Sequence, residues 1–190
     1  MSKTFLADKT VNKVYYSGKD LRFSEFDTCV FVGCNFSKSD LSDTEFIDCK
    51  FEECDLSTIK LINAGLKNVS FLGCKLLGID FTRCKDFLLS FHFEKCSLDF
   101  STFQGKKIQK TTFKECSLKE VDFSYADLTA SNFQNCDLTR SVFQQTILEK
   151  ADFRSAINYS FDLESNRIKG AKFSSYGILG LLDKYQIIIE

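Results

Sequence analysis

The stretch SNFQNCDLTRSVFQQTILEKADFRS, residues 131–155, decides the fold. Divided into fives, it places Phe133, Leu138, Phe143, Leu148 and Phe153 at the third position of every block. Two positions before each stands a small residue: Ser131, Cys136, Ser141, Thr146 and Ala151. An amphipathic helix needs apolar residues recurring at about 3.6 and a half-buried strand at about 2.0. A strict period of five fits neither and marks a repeat architecture.

Outward from this stretch the pattern covers nearly the whole chain. From Leu21 the block centres run Phe26, Phe31, Phe36, Leu41, Phe46, Phe51, Leu56, Leu61, Leu66, Phe71, Leu76 and Phe81. Asp86 falls on the next expected centre, and the pattern resumes two residues late at Leu88 and Phe93. It then passes through Leu98, Phe103, Ile108, Phe113, Leu118, Phe123 and Leu128 into the opening stretch. Beyond it Asn158 breaks the pattern, while Leu163, Ile168, Phe173 and Ile178 keep the spacing. Every fourth block forms a column, such as Phe31, Phe51, Phe71, Phe93, Phe113, Phe133, Phe153 and Phe173. The columns rejoin across the slip, so a two-residue insertion within 84–90 leaves the faces in place.

The physical solution is an all-β solenoid of square cross-section. Each turn directs four large and four small side chains inward and stacks on the next at the strand spacing of ~4.8 Å. About eight coils make a rod of ~40 Å at that spacing. Burying Asp86 unpaired would cost several kcal/mol, which a bulge or short loop at 84–90 avoids. The organisation expected is a weakly patterned starting cap over 1–20, a β-helix over 21–178, and a closing segment over 179–190.

Composition fits this plan. There are 21 Phe, no Pro and no Trp in 190 residues. The nine Cys, at 29, 34, 49, 54, 74, 84, 96, 116 and 136, all occupy the small place of a block. That is the placement of a small hydrophobe, not of clustered metal ligands. No signal-peptide core and no run of ~18 apolar residues is present, so a cytoplasmic, non-membrane protein is expected. No phosphate loop, nucleophile elbow or metal cluster stands out, and His92, the only His, precedes the inward Phe93. The reading is therefore a non-enzyme without cofactor or metal.

The tail GILGLLDKYQIIIE, 177–190, abandons the five-residue block. Leu179, Leu181 and Leu182 suggest a helical turn, and Ile187, Ile188 and Ile189 a strand. A solenoid end must be covered. The tail either folds over its own coil, or its surface, with Tyr185, joins a second copy end to end in a C2 dimer.

Blocks such as CDLTR, ADLTA and ADFRS resemble the pentapeptide-repeat proteins, over about 21–178. That resemblance implies a right-handed quadrilateral parallel β-helix. With its helix-plus-strand tail the chain is similar to the Qnr- and MfpA-type fluoroquinolone-resistance subfamily, in a form without long projecting loops. The subfamily implies a C-terminally joined homodimer that mimics duplex DNA, binds DNA gyrase or topoisomerase IV, and protects against quinolones. A structural or scaffolding repeat protein with another partner is the alternative.

Charge bears on that choice. Net charge is only −1, yet residues 20–56 hold ten acids against three bases and 120–164 eight against three. Between them, 57–119 holds eleven bases against five acids. The acids expected to face a topoisomerase are Asp40, Asp43, Glu45, Asp48, Glu52, Glu53, Asp55, Glu120, Asp122, Asp127 and Asp137. The basic belt lacks outward stacking aromatics over its coils, so direct nucleic-acid binding is not expected.

Overall fold

The computed structural model describes residues 4–188. Short strands recur along a parallel β-solenoid as far as Gln134, and single bridges hold the later turns. In chain order the strands are β1 (Phe5–Ala7), β2 (Thr10–Asn12), β3 (Glu25–Asp27), β4 (Val30–Val32), β5 (Glu45–Ile47) and β6 (Lys50–Glu52). There follow β7 (Gly65–Lys67), β8 (Val69–Leu72), β9 (Phe91–Glu94), β10 (Thr112–Lys114) and β11 (Asn132–Gln134). Strands β1, β3, β5 and β7 stack into one sheet and β2, β4, β6, β8, β9, β10 and β11 into another. Every pairing is parallel and in register, Phe31 beside Phe51 and Phe51 beside Phe71. Single bridges close the two remaining sides, for example Asn35 to Asp55 and Asp40 to Lys60. We number the faces by their centres: first Phe26, Phe46 and Leu66; second Phe31, Phe51 and Phe71; third Phe36 and Leu56; fourth Leu41 and Leu61.

The core is the stack of block centres. On the second face the rings from Phe31 to Phe173 pile with centroids 4.6–5.5 Å apart and planes within 15°. Neighbouring columns meet edge to face, as Phe103 does with Phe113 at 81°. Aromatic quadrupoles favour both arrangements.

The small places carry a polar task as well. Cys54 Sγ donates to the carbonyl of Phe31 (3.3 Å), Ser131 Oγ to that of Ile108 (3.2 Å) and Thr146 Oγ1 to that of Phe123 (3.0 Å). A small side chain with a donor therefore ties each turn to the one before it, so Cys, Ser and Thr share this place. All nine Cys are buried free thiols. Corners fall two residues after each centre, where φ turns positive, as at Asp48 (51°) and Lys110 (59°).

Across the slip the ladder is intact but offset by 22 residues, with Phe71 beside Phe93. The extra residues leave the core: Phe87 and Leu88 are 70% and 64% exposed. Lys106 stands at a small inward place, yet it is only 5% exposed. Its ammonium donates to the Cys84 carbonyl (2.7 Å) and to Asp86 (2.6 Å). Glu45 binds the start of the same segment through Lys85, and also pairs with Lys67 at 3.1 Å. Asp86 thus lies at the surface with a partner, and a lysine fills the space below it.

At the C-terminal end Tyr159 and Phe161 are buried and pack against Phe153 and Phe173. They close the core that Asn158 interrupts. Gly177–Leu181 and Asp183–Tyr185 form two 3-10 turns. Leu181 is only 2% exposed and belongs to this chain's own core, which corrects its assignment to a dimer surface. The expected strand is also corrected. Ile187 and Ile188 lie outside any strand, after Gln186 turns left-handed at φ 49°. No ladder neighbour takes up their backbone groups among the described residues, and a strand needs one. Ile189 lies outside the described residues. Ile178, which keeps the repeat spacing, is 45% exposed because the 3-10 turn that holds it has left the coil.

Candidate functional site

Two surfaces stand out, the C-terminal end and the charged rod. At the end, Gly177 and Gly180 let the first 3-10 turn lie directly on Tyr159. A Cβ at Gly180 would stand 1.9 Å from the Tyr159 carbonyl oxygen. Leu181 then reaches the core, and Lys184 ties the second turn to Asp162 (2.6 Å) and Glu164 (3.2 Å). Covering the coil this way leaves Leu179, Tyr185, Ile187 and Ile188 exposed and Leu182 half-buried. Tyr176 and Ile157 extend the same apolar end. Ile157 was legible as a signal. The corresponding outward place holds Asn35, Asp55, Lys75, Ser97, Ser117 and Asp137 in other turns.

The acids are arranged differently from a stripe. Asp40 lies on the fourth face, Glu45 on the first, Glu52 on the second and Asp55 on the third, with Asp43, Asp48 and Glu53 at corners between them. They ring one turn of the rod. Glu120, Asp122, Asp127 and Asp137 are likewise spread over a corner and three faces.

Several of these acids also do structural duty. Asp40 accepts the Ser42 N–H (3.0 Å) and hydroxyl (2.6 Å), and Asp137 those of Thr139. Asp55 and Asp122 accept the N–H of Ser57 and Ser124. These are Asx turns, which explains the recurrence of Asp just before a centre and Ser or Thr just after. Burial pushes the Asp137 carboxyl up, but donors from Thr139, Asn158 and Lys119 outweigh it and bring it down to about 2. Glu45 is likewise held below its usual range against burial, by Lys85 and Lys67. Glu120 pairs with Arg140.

Stacking sets where the acidic zone stops. Glu25 lies beside Glu45 and Asp20 beside Asp40, but the next rungs put Lys60 beside Asp40 and Lys75 beside Asp55. His92 points outward into an open trough of the second face, with Ser70, Glu94, Thr112 and Lys114 around it. Among the described residues no group of three or more His, Cys, Asp or Glu could hold a metal ion, and no helix is long and apolar enough to cross a membrane.

Comparison with known proteins places this geometry. No curated protein matches the chain by sequence. Among solved structures it is similar to a trypsin-treated form of QnrB1, a plasmid-mediated fluoroquinolone resistance protein. The TM-score is 0.64 at 16% identity, over 100% of both chains. Full-length QnrB1 gives 0.58 at 18% identity, over 94% of this chain and 100% of that one. HetL, a pentapeptide repeat protein involved in heterocyst differentiation regulation from the cyanobacterium Nostoc sp. strain PCC 7120, gives 0.55 at 18% identity, over 89% and 86%. At these identities the likeness is one of fold. The pentapeptide repeat region itself matches residues 24–87 and 79–153, and the chain belongs to the pentapeptide-repeat family.

Proposed function

We propose that this chain works by binding rather than catalysis, as a homodimeric rod that engages DNA gyrase or topoisomerase IV and relieves fluoroquinolone inhibition. The observation that carries the reading is the apolar C-terminal end. Leu179, Tyr185, Ile187 and Ile188 stay exposed after the tail has already covered the coil. An uncovered apolar end suits an isologous contact with a second copy. Two rods joined there make an elongated particle, and the acidic zones then repeat symmetrically about the joint. The likeness of fold to QnrB1 along the full length of the chain supports the reading.

A second reading has its own support. The acids encircle the rod, and several are already engaged by Thr139, Lys85 or Arg140. A DNA mimic needs dense, uncompensated negative charge, as the phosphates of duplex DNA supply. A scaffolding rod that binds another protein makes no such demand, and HetL has the same fold with a different role.

The deciding experiment is a gyrase supercoiling titration with purified protein, with and without a fluoroquinolone. Restored supercoiling in the presence of drug supports protection. Inhibition without rescue leaves a gyrase ligand that does not protect. No effect on gyrase or topoisomerase IV sinks the topoisomerase reading and favours the scaffold. Light scattering of Ile188→Asp against the parent tests the joint separately, and a monomer is the expected result.

A further inference from the structure

Independently of the end-to-end contact, the geometry points to a second interface, in which two copies of this chain lie side by side and antiparallel through the first face. Along that face the charge changes sign. Asp43 and Asp48 flank one turn, and their hydrogen-bond donors are the neutral amides of Asn63 and Asn68. Three turns on, Lys107 and Lys110 take part in none of the ion pairs among the described residues. Between the two zones the slip segment pushes out Phe87 and Leu88. It is held rigidly below them by Lys106 with Asp86, Lys85 with Glu45, and Lys67 over the Phe87 ring at 5.7 Å. Leu88 sits at φ 57°, a costly place for an aliphatic side chain. A bulky apolar tip that is strained, exposed and anchored is arranged for contact.

A face whose halves carry opposite charge is complementary to itself turned end for end. Place a twofold axis in the face, along the strands, between the turns of Leu66 and Phe87. Each turn then faces its mirror turn on the second copy, and each corner faces the same corner. Asp48 meets Lys110, and the exposed Phe23 meets the exposed Tyr125. Phe87 comes down on Gly65, where no side chain projects and only the Glu45 carboxylate lies. Every contact occurs twice, as an isologous interface requires. One meeting is unfavourable, Glu25 opposite Asp127. Six turns at ~4.8 Å and a face of about 16 Å bury roughly 900 Å² in total, below the ~1,200 Å² at which stable interfaces begin and in the range of transient ones. The pairing is therefore weak and salt-sensitive.

The test is sedimentation velocity on the full chain carrying Ile188→Asp, which removes the end contact and separates the two readings. At ~0.05 M salt and protein up to about 0.5 mM, a concentration-dependent dimer is expected, weakened about tenfold at ~0.5 M salt. Asp48→Lys and Lys110→Asp should each abolish it. Both sites are corners with positive φ, where the chain elsewhere carries Lys38, Lys150 and Asp43, so folding is undisturbed. An equimolar mixture of the two variants should recover the dimer, because each supplies the charge that the other lost. A parent that stays monomeric, a dimer indifferent to both substitutions, or a mixture that fails to recover overturns the proposal.

Discussion

The segment 84–90 and the segment 157–182 both break the five-residue pattern, and they repair it by opposite means. The first is repaired with charge: Lys106 fills the gap from inside, and Asp86 and Glu45 pin the displaced chain. The second is repaired with apolar mass: Tyr159, Phe161 and Leu181 plug the end, and two glycines let them close. The difference follows from position. An interior break has a complete turn on either side, so the extra residues are simply expelled and their backbone held. A terminal break has no next turn to cover it, so only apolar cover excludes water from the last ring.

The largest effect should come from the regular rod, which sets the scale for both breaks. Phe113→Ala removes a fully buried ring stacked between Phe93 and Phe133 and should cost ~3–5 kcal/mol in denaturant unfolding. A loss below ~1 kcal/mol would contradict the stacked core. Next comes the interior break. Asp86→Ala leaves the buried Lys106 ammonium with the Cys84 carbonyl as its one partner and should cost ~2–4 kcal/mol, whereas Lys106→Met leaves an exposed aspartate and a carbonyl without its donor and should cost ~1 kcal/mol. If Lys106→Met proved the worse of the two, charge would not be what repairs the slip.

The terminal break predicts a smaller, local loss. At Gly180 a Cβ collides with backbone, so Gly180→Ala should cost ~1–3 kcal/mol through displacement of the tail. Proteolysis should report it first, as faster cleavage within 177–188 while the rod persists. Unchanged cleavage would mean that the tail is not seated through this glycine.

Much of this rod was legible from residue spacing because its periodicity is dictated by sterics. A large centre and a small neighbour alternate with corners, and each class of place admits few residue types. The slip was visible too, since Asp86 at a centre contradicts burial. What filled the gap was not visible. Lys106 looked like one more base of the central belt, because nothing in a one-dimensional pattern says that a long cation replaces a small residue when the turn below is enlarged. Leu181 failed for a related reason. In a segment without period, spacing cannot tell which leucine turns inward, and the glycines at 177 and 180 matter only through their contact with Tyr159. The acids were countable, but twenty residues of sequence wrap once around the rod, so a cluster in sequence is a ring in space. Their Asx turns were hidden in plain view in Asp-Leu-Ser and Asp-Leu-Thr.

The smallest effect concerns an acid of the regular rod, where charge serves the turn instead of a break. The Asp137 carboxyl lies at about 2 in the folded chain, below its ordinary 3.8. A lowered folded value means that its contribution is complete above the unfolded value. That contribution is lost as the pH falls through the folded one. Asp137→Asn keeps an oxygen for the Thr139 donors but removes the charge beside Lys119, 3.3 Å away. The parent should therefore be modestly more stable than the variant at neutral pH, with the gap closing between about pH 4 and about pH 2. Urea unfolding followed by circular dichroism across that range measures it. A gap that stays constant would show that the turn needs only an acceptor, and the recurrent aspartate would then be a matter of shape rather than charge.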